Sequence, residues 1–173
     1  MSFLGRRAVS VDNGVVRVTV LVGGGHIAEV TLVEGGVNPL WIPPWASMEP
    51  GEYDARVHGE RYGKGPEGRL LAGIMGHNLC FDIFGPPWAE EAAAGLTVHG
   101  EASVVDWQVD RVGDADLRAV AELPLAGMRV ERVLRLEAGS REVRIRETVE
   151  NRMGVDRAVG WTQHVTLGPP FLA

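Results

Sequence analysis

The sequence predicts an all-β fold, and three observations carry that expectation. Asn13-Gly14 sits between two apolar runs, residues 143–150 alternate with a period of two, and turn signals recur regularly through the second half. No apolar stripe of helical period and useful length appears anywhere. Regularly spaced strands with turns between them close as a sandwich or a barrel.

Taken in order, Val9 and Val11 lead into Asp12-Asn13-Gly14. Beyond that turn Val16, Val18, Val20 and Val22 alternate with Val15, Arg17, Thr19 and Leu21. A two-residue Asn-Gly turn needs positive φ at both central positions, which these residues tolerate. Gly23-Gly24-Gly25 then turns the chain into a strand at 27–33, so the opening is an antiparallel meander. Residues 34–76 differ, holding Pro39, Pro43, Pro44, Pro50 and Pro66 among glycines, Trp41, Trp45, Tyr53 and Tyr62. Proline lacks the amide donor of helix interiors and central strands, so this stretch is expected to be irregular and either functional or packed over something. After Gly85-Pro86-Pro87-Trp88, one or two helical turns fit before Gly95, opened by Pro87.

Strands are expected again at 104–109, 117–123, 128–136 and 142–151. In the last of these Val143, Ile145 and Val149 share a face, opposite Arg144, Arg146, Thr148 and Glu150. Glu147 interrupts the apolar face and needs a partner, an arginine or a ligand. A strand-like run at 161–167 is followed by an apolar tail, which suggests that more protein, from this chain or a partner, normally follows. Residues 1–173 read as one domain, incomplete at its C-terminus.

Composition bounds the partners. At 173 residues and 45% hydrophobic the chain can bury a substantial core, and 23% charged residues is ordinary globular usage. A net charge of -6 argues against a nucleic-acid or anionic-membrane binder. Lys64 is the only lysine, and the arginines are scattered. Cys80 is the only cysteine, so no intramolecular disulfide or Cys-based zinc site is expected. The N-terminus lacks the apolar run of a signal peptide, and no stretch approaches the length of a transmembrane helix. A cytoplasmic location is the expectation.

Histidine is the natural place to look for acid–base chemistry near neutral pH. His26, in a glycine turn, reads as structural or solvated, and His58, among Arg56, Glu60 and Arg61, reads as solvated. His77 stands in Gly76-His77-Asn78-Leu79-Cys80-Phe81-Asp82, close to an amide and a carboxylate. His99 lies before Gly100 and Glu101, and an extended segment would aim His99 and Glu101 to one side. His164 lies on strand-like sequence in Trp161-Thr162-Gln163-His164-Val165. Taken generically, each is more often a hydrogen-bonded structural histidine than a catalyst. The chain has no Gly-x-Ser-x-Gly elbow, no Gly-Lys-Ser/Thr phosphate loop and no His-Glu-x-x-His helix. A cupin-like metal site from His77, His99, Glu101 and His164 is a weaker alternative, since the usual His-x-His pair is missing.

These segments together resemble aldose 1-epimerase-related, galactose-mutarotase-like proteins. The resemblance rests on His77-Asn78-Leu79-Cys80-Phe81-Asp82, Phe84-Gly85-Pro86-Pro87, Gly95-Leu96-x-x-His99-Gly100-Glu101-Ala102, Val149-Glu150-Asn151 and Thr162-Gln163-His164-Val165-Thr166. It implies a β-supersandwich, of which this chain is the N-terminal part, and a free sugar as the small-molecule partner. It implies anomer exchange by acid–base ring opening, with His164 as the acid and His99 orienting the sugar. His77, Asn78, Asp82, Glu101, Trp45 and Trp88 are the expected substrate-binding residues, Trp45 and Trp88 because a pyranose presents an apolar C–H face to an aromatic ring. No metal and no cofactor is expected. Two departures stand out. Relatives carry an Asn-Arg pair where this chain has Gly76-His77-Asn78, and their base glutamate lies in the second half of the fold, beyond residue 173. A non-catalytic carbohydrate-binding or regulatory domain is therefore the alternative, and the base would come from a missing C-terminal half or from another copy in a homo-oligomer.

Overall fold

Two antiparallel sheets form, and the turn residues decide where each strand reverses. The computed structural model describes residues 1–172. The first sheet holds β1 (Ser2–Phe3), β2 (Arg6–Asp12), β3 (Val16–Leu21), β4 (Ile27–Leu32), β5 (His77–Phe81) and β10 (Trp161–Val165), in the order β1-β2-β3-β4-β5-β10. The second runs β6-β7-β8-β9, from β6 (Gln108–Arg111), β7 (Asp116–Leu123), β8 (Met128–Arg135) and β9 (Arg144–Asn151). At the first hairpin, Asn13 Oδ1 accepts the amides of Val15 and Val16 at 3.0 and 2.8 Å. The Asn13 amide group also donates to the Ser140 carbonyl at 2.9 Å, which ties this turn to the loop before β9.

The core lies between the sheets. Val11, Val18, Val20, Leu79 and Phe81 from the first meet Leu117, Ala119, Val130 and Leu134 from the second, around Trp107. Each such valine or leucine contributes about 1.5–3 kcal/mol on burial. Two arginines are also fully buried, and both are paired. Arg6 lies 3.3 Å from Glu49 and donates to the carbonyls of Gly23 and Gly73. Arg132 donates to Glu147 at 2.7 Å and to the Gly25 carbonyl, over the Trp107 ring. The partner that Glu147 needs is thus an arginine, as charge burial demands.

Three expectations fail. The proline-rich stretch holds a 3-10 turn at Pro50–Glu52, α1 (Ala55–Tyr62) and α2 (Gly68–Gly73). The prolines fall outside α1 and α2, between or before them, so each short run keeps its amide donors. Asp54 caps α1 by accepting from the Arg56 amide, and His58 Nδ1 accepts from the Asp54 amide at 3.0 Å, so His58 is not merely solvated. The strand expected at 104–109 begins only at Gln108, because Val104 and Val105 turn back onto the Glu101 carbonyl. One further short helix, α3 (Ala89–Ala93), lies where one or two turns were expected. Among the described residues, no helix is long and apolar enough to cross a membrane.

His26 is buried without any exposure and contacts the Ser103 carbonyl at 3.0 Å. Burial, with Arg6 and Arg132 adding positive charge nearby, pulls its pKa down to about 3 from 6.5. Below pH 6.5 the unfolded chain takes up a proton that the folded chain refuses, so stability falls with pH. Chemical denaturation as a function of pH is expected to show wild type losing about 1.4 kcal/mol per pH unit more than His26→Gln as pH falls from 6.5 to about 3. Parallel pH profiles would contradict it.

Candidate active site

Strand register sorts the candidate residues onto two faces. β10 pairs antiparallel with β5, with Trp161 opposite Phe81, Thr162 opposite Cys80, Gln163 opposite Leu79 and His164 opposite Asn78. Side chains alternate along each strand, so Asn78, Cys80, Thr162 and His164 share a face. His77, Leu79, Phe81, Trp161 and Gln163 share the other, and Leu79 and Phe81 identify that face as the one turned to the core. There His77 Nε2 contacts Gln163 Oε1 at 2.6 Å, while the Gln163 and Trp161 nitrogens donate to Glu147 Oε2. Since the Gln163 amide nitrogen is spent on Glu147, its oxygen accepts and His77 donates. Burial, with the positive charge of Arg132 nearby, lowers the pKa of His77.

His99 reaches the outer face by a tight turn. Gly100 forms a parallel bridge to Phe81 at φ 82°, where a side chain would press into the Phe81 carbonyl oxygen. His99 itself has φ 67°, and its amide donates to the Gly85 carbonyl at 3.0 Å. The Gly85 amide donates back to His99 Nδ1, also at 3.0 Å. An amide can only donate, so Nδ1 accepts and the proton of the neutral ring sits on Nε2. Burial, then the charge of His164, lowers the pKa of His99 and favours this neutral donor.

The His99 and His164 rings lie edge to face, 5.1 Å apart at 71°. Phe84 stacks on His99 at 5.0 Å and meets His164 edge-on at 6.0 Å, while remaining 65% exposed. Two imidazoles beside an open aromatic face can donate and exchange protons next to an apolar surface. A cleft of about 550 Å³ lies elsewhere, beside Tyr53, Arg56, Lys64, Arg69 and Thr97. Arg56 and Lys64 there are already paired with Asp54 and Glu60.

The other expected residues lie in different surroundings. Glu101 does not project beside His99, because the segment turns rather than extends. It accepts from the Leu125 and Ala126 amides at 3.1 Å, and burial raises its pKa. Asp82 pairs with Arg157. Trp45 packs edge-on against Trp41 and donates to the Leu71 carbonyl at 3.1 Å. Trp88 is 79% exposed at the start of α3, where Glu91 accepts from its amide. Asn78 is fully buried beside Cys80. Sequence reasoning did not single out Phe84, Gly85 or Cys80 for the site, although all three stand in the motifs quoted above.

Cys80 Sγ and ring nitrogens of His99 and His164 lie within 4.8 Å of one another, a different set from the His77, His99, Glu101 and His164 of the cupin-like alternative. As a metal site it fits poorly. Burial pushes the Cys80 thiol up to about 11, and the Gly85 amide holds the His99 proton on Nε2, the nitrogen a metal would need.

A structural comparison identifies the architecture. A galactose mutarotase-like protein from Lactobacillus casei superposes with a TM-score of 0.53 over 83% of this chain, at 11% identity. The fold is that of the galactose mutarotase-like proteins. This chain spans 44% of the length of that structure, consistent with the N-terminal part of the supersandwich. A galactose mutarotase related enzyme from Lactobacillus acidophilus gives a TM-score of 0.45 at 11% identity, over 76% of this chain and 39% of its own. No family model matches the chain, and no curated protein matches it in sequence.

The seam at Gly100 gives a direct test. Gly100→Ala is expected to cost about 2–3 kcal/mol, through positive φ and the clash at Phe81. The NMR signals of the His99 ring are expected to shift as its loop lifts. Unchanged stability with unmoved His99 signals would contradict the placement.

Proposed function

We propose that this chain handles free sugars and exchanges their anomers by acid–base ring opening. The observation that supports this most is the His99–His164 pair, 5.1 Å apart beside exposed Phe84 on a galactose mutarotase-like fold. Phe84 offers a surface for the C–H face of a pyranose. His99, a neutral donor at Nε2, hydrogen-bonds a sugar oxygen. His164 as imidazolium delivers its Nε2 proton to the ring oxygen while a base takes the anomeric hydroxyl proton. The bond between C1 and the ring oxygen breaks, the aldehyde turns, and reversal of both proton transfers closes the other anomer.

The base is a carboxylate from a further segment or a partner chain. The nearby carboxylates are engaged, Asp82 with Arg157, Glu101 with two amides and Glu147 with Arg132. That engagement favours, as a second reading, a sugar-binding domain without turnover.

Anomer exchange followed by NMR on hexoses, pentoses and hexose phosphates separates the two. The enzyme reading expects acceleration that falls at least about 100-fold in His164→Ala. Binding shifts without acceleration on any sugar would overturn it in favour of the binding domain.

A further inference from the structure

Two buried polar atoms on directly opposed residues lack hydrogen-bond partners. Asn78 has no exposure, and its Oδ1 is unpaired. His164, its register partner on β10, has a buried Nδ1 that is also unpaired. The two side chains leave the same face of the sheet as directly opposed neighbours, a placement that sets Cβ atoms about 4.5–5.5 Å apart. Leaving a buried donor or acceptor without a partner is costly, so two orphans side by side call for each other.

The rest of the amide is already committed. Asn78 Nδ2 donates to Cys80 Sγ at 3.7 Å, two residues along the same face. That contact orients the amide and leaves the oxygen as the free end. His164 as a whole is half-buried, and with Nδ1 inside, its exposed edge is the one that carries Nε2.

We propose that Asn78 is the positioning residue of His164: its Oδ1 accepts the Nδ1 proton and leaves Nε2 free on the open side. A neutral amide oxygen can accept from Nδ1–H whether the ring is neutral or protonated. The ring therefore keeps one orientation while Nε2 gains and loses its proton. The reverse amide orientation, with Nδ2 toward the ring, would hold the neutral proton on Nε2 and oppose the cation.

This gives the two histidines opposite tautomers. The Gly85 amide fixes His99 with its proton on Nε2, a permanent donor. Asn78 fixes His164 with its proton on Nδ1 and its lone pair on Nε2, a proton exchanger. Two chemically identical side chains thus take different duties from one backbone amide and one side-chain amide. As a statement about catalysis this rests on the acid role proposed for His164; the tautomer does not.

Long-range proton–nitrogen correlation NMR on nitrogen-15-labelled protein, well above the titration range of imidazole, reads the tautomers directly. His164 is expected as Nδ1–H and His99 as Nε2–H. Asn78→Ala is expected to return His164 to a tautomer mixture, and Asn78→Asp to keep the single form. Neutral His164 as Nε2–H in wild type, or an unchanged pattern in Asn78→Ala, would overturn the pairing. With an accelerated sugar in hand, Asn78→Ala is expected to lower kcat about tenfold or more with KM nearly constant, and an unchanged kcat would count against the positioning role. The Nδ1–H form in a protein inactive on every sugar would support the pairing and sink the enzyme reading, so the two fail separately.

Discussion

The backbone of Gly100 lies against the Phe81 carbonyl so closely that no side chain fits between them, and the candidate site is assembled around that seam. β5 holds β10 on one edge by hydrogen-bonded pairing, which delivers His164. The Gly100 bridge to Phe81 brings His99 down beside it. Neither histidine needs the other to be placed, yet the same five-residue strand sets both. Gly76, whose Cβ would press into the Ile27 carbonyl, starts that strand against β4. The site is therefore as rigid as the backbone seams on either side of β5.

Buried charge extends this arrangement into the second sheet. Arg132 on β8 anchors Glu147 on β9, and Glu147 accepts from Trp161 and Gln163 on β10. β10 is an edge strand, where register is otherwise weakly specified, and these polar links fix it from the core side. The carboxylate that looked unexplained on an apolar face is thus a strut between sheets. Glu101 has a comparable task, closing the turn between β7 and β8 by accepting two amides. The chain commits these carboxylates to architecture.

Most of the fold was legible because strand periodicity and turn chemistry agree. The Asn13-Gly14 hairpin, β7, β8 and β9 all lie close to where alternation places them. The errors have local causes. Helices α1 and α2 hide among prolines that fall outside both runs, and Val104 follows a turn that alternation cannot register. Within the site, His99 and His164 stood out by context, and alternation on β5 separates His77 from Asn78 and Cys80. Phe84 and Gly85 were harder, since their approach to His99 depends on positive φ at Asp82 and His99. Non-glycine residues seldom take that conformation, and no pattern of residue types announces it.

The central claim is that His99 and His164 form one sugar site, whether or not turnover follows. The most direct measurement is a titration of the protein with unlabelled hexoses while the ring C–H signals of both histidines are followed by NMR. The account predicts that the two rings shift together along one saturation curve, with His77, on the core face, left behind. Shifts confined to residues around Lys64 and Arg69, or no shift of either ring with any sugar, would contradict it.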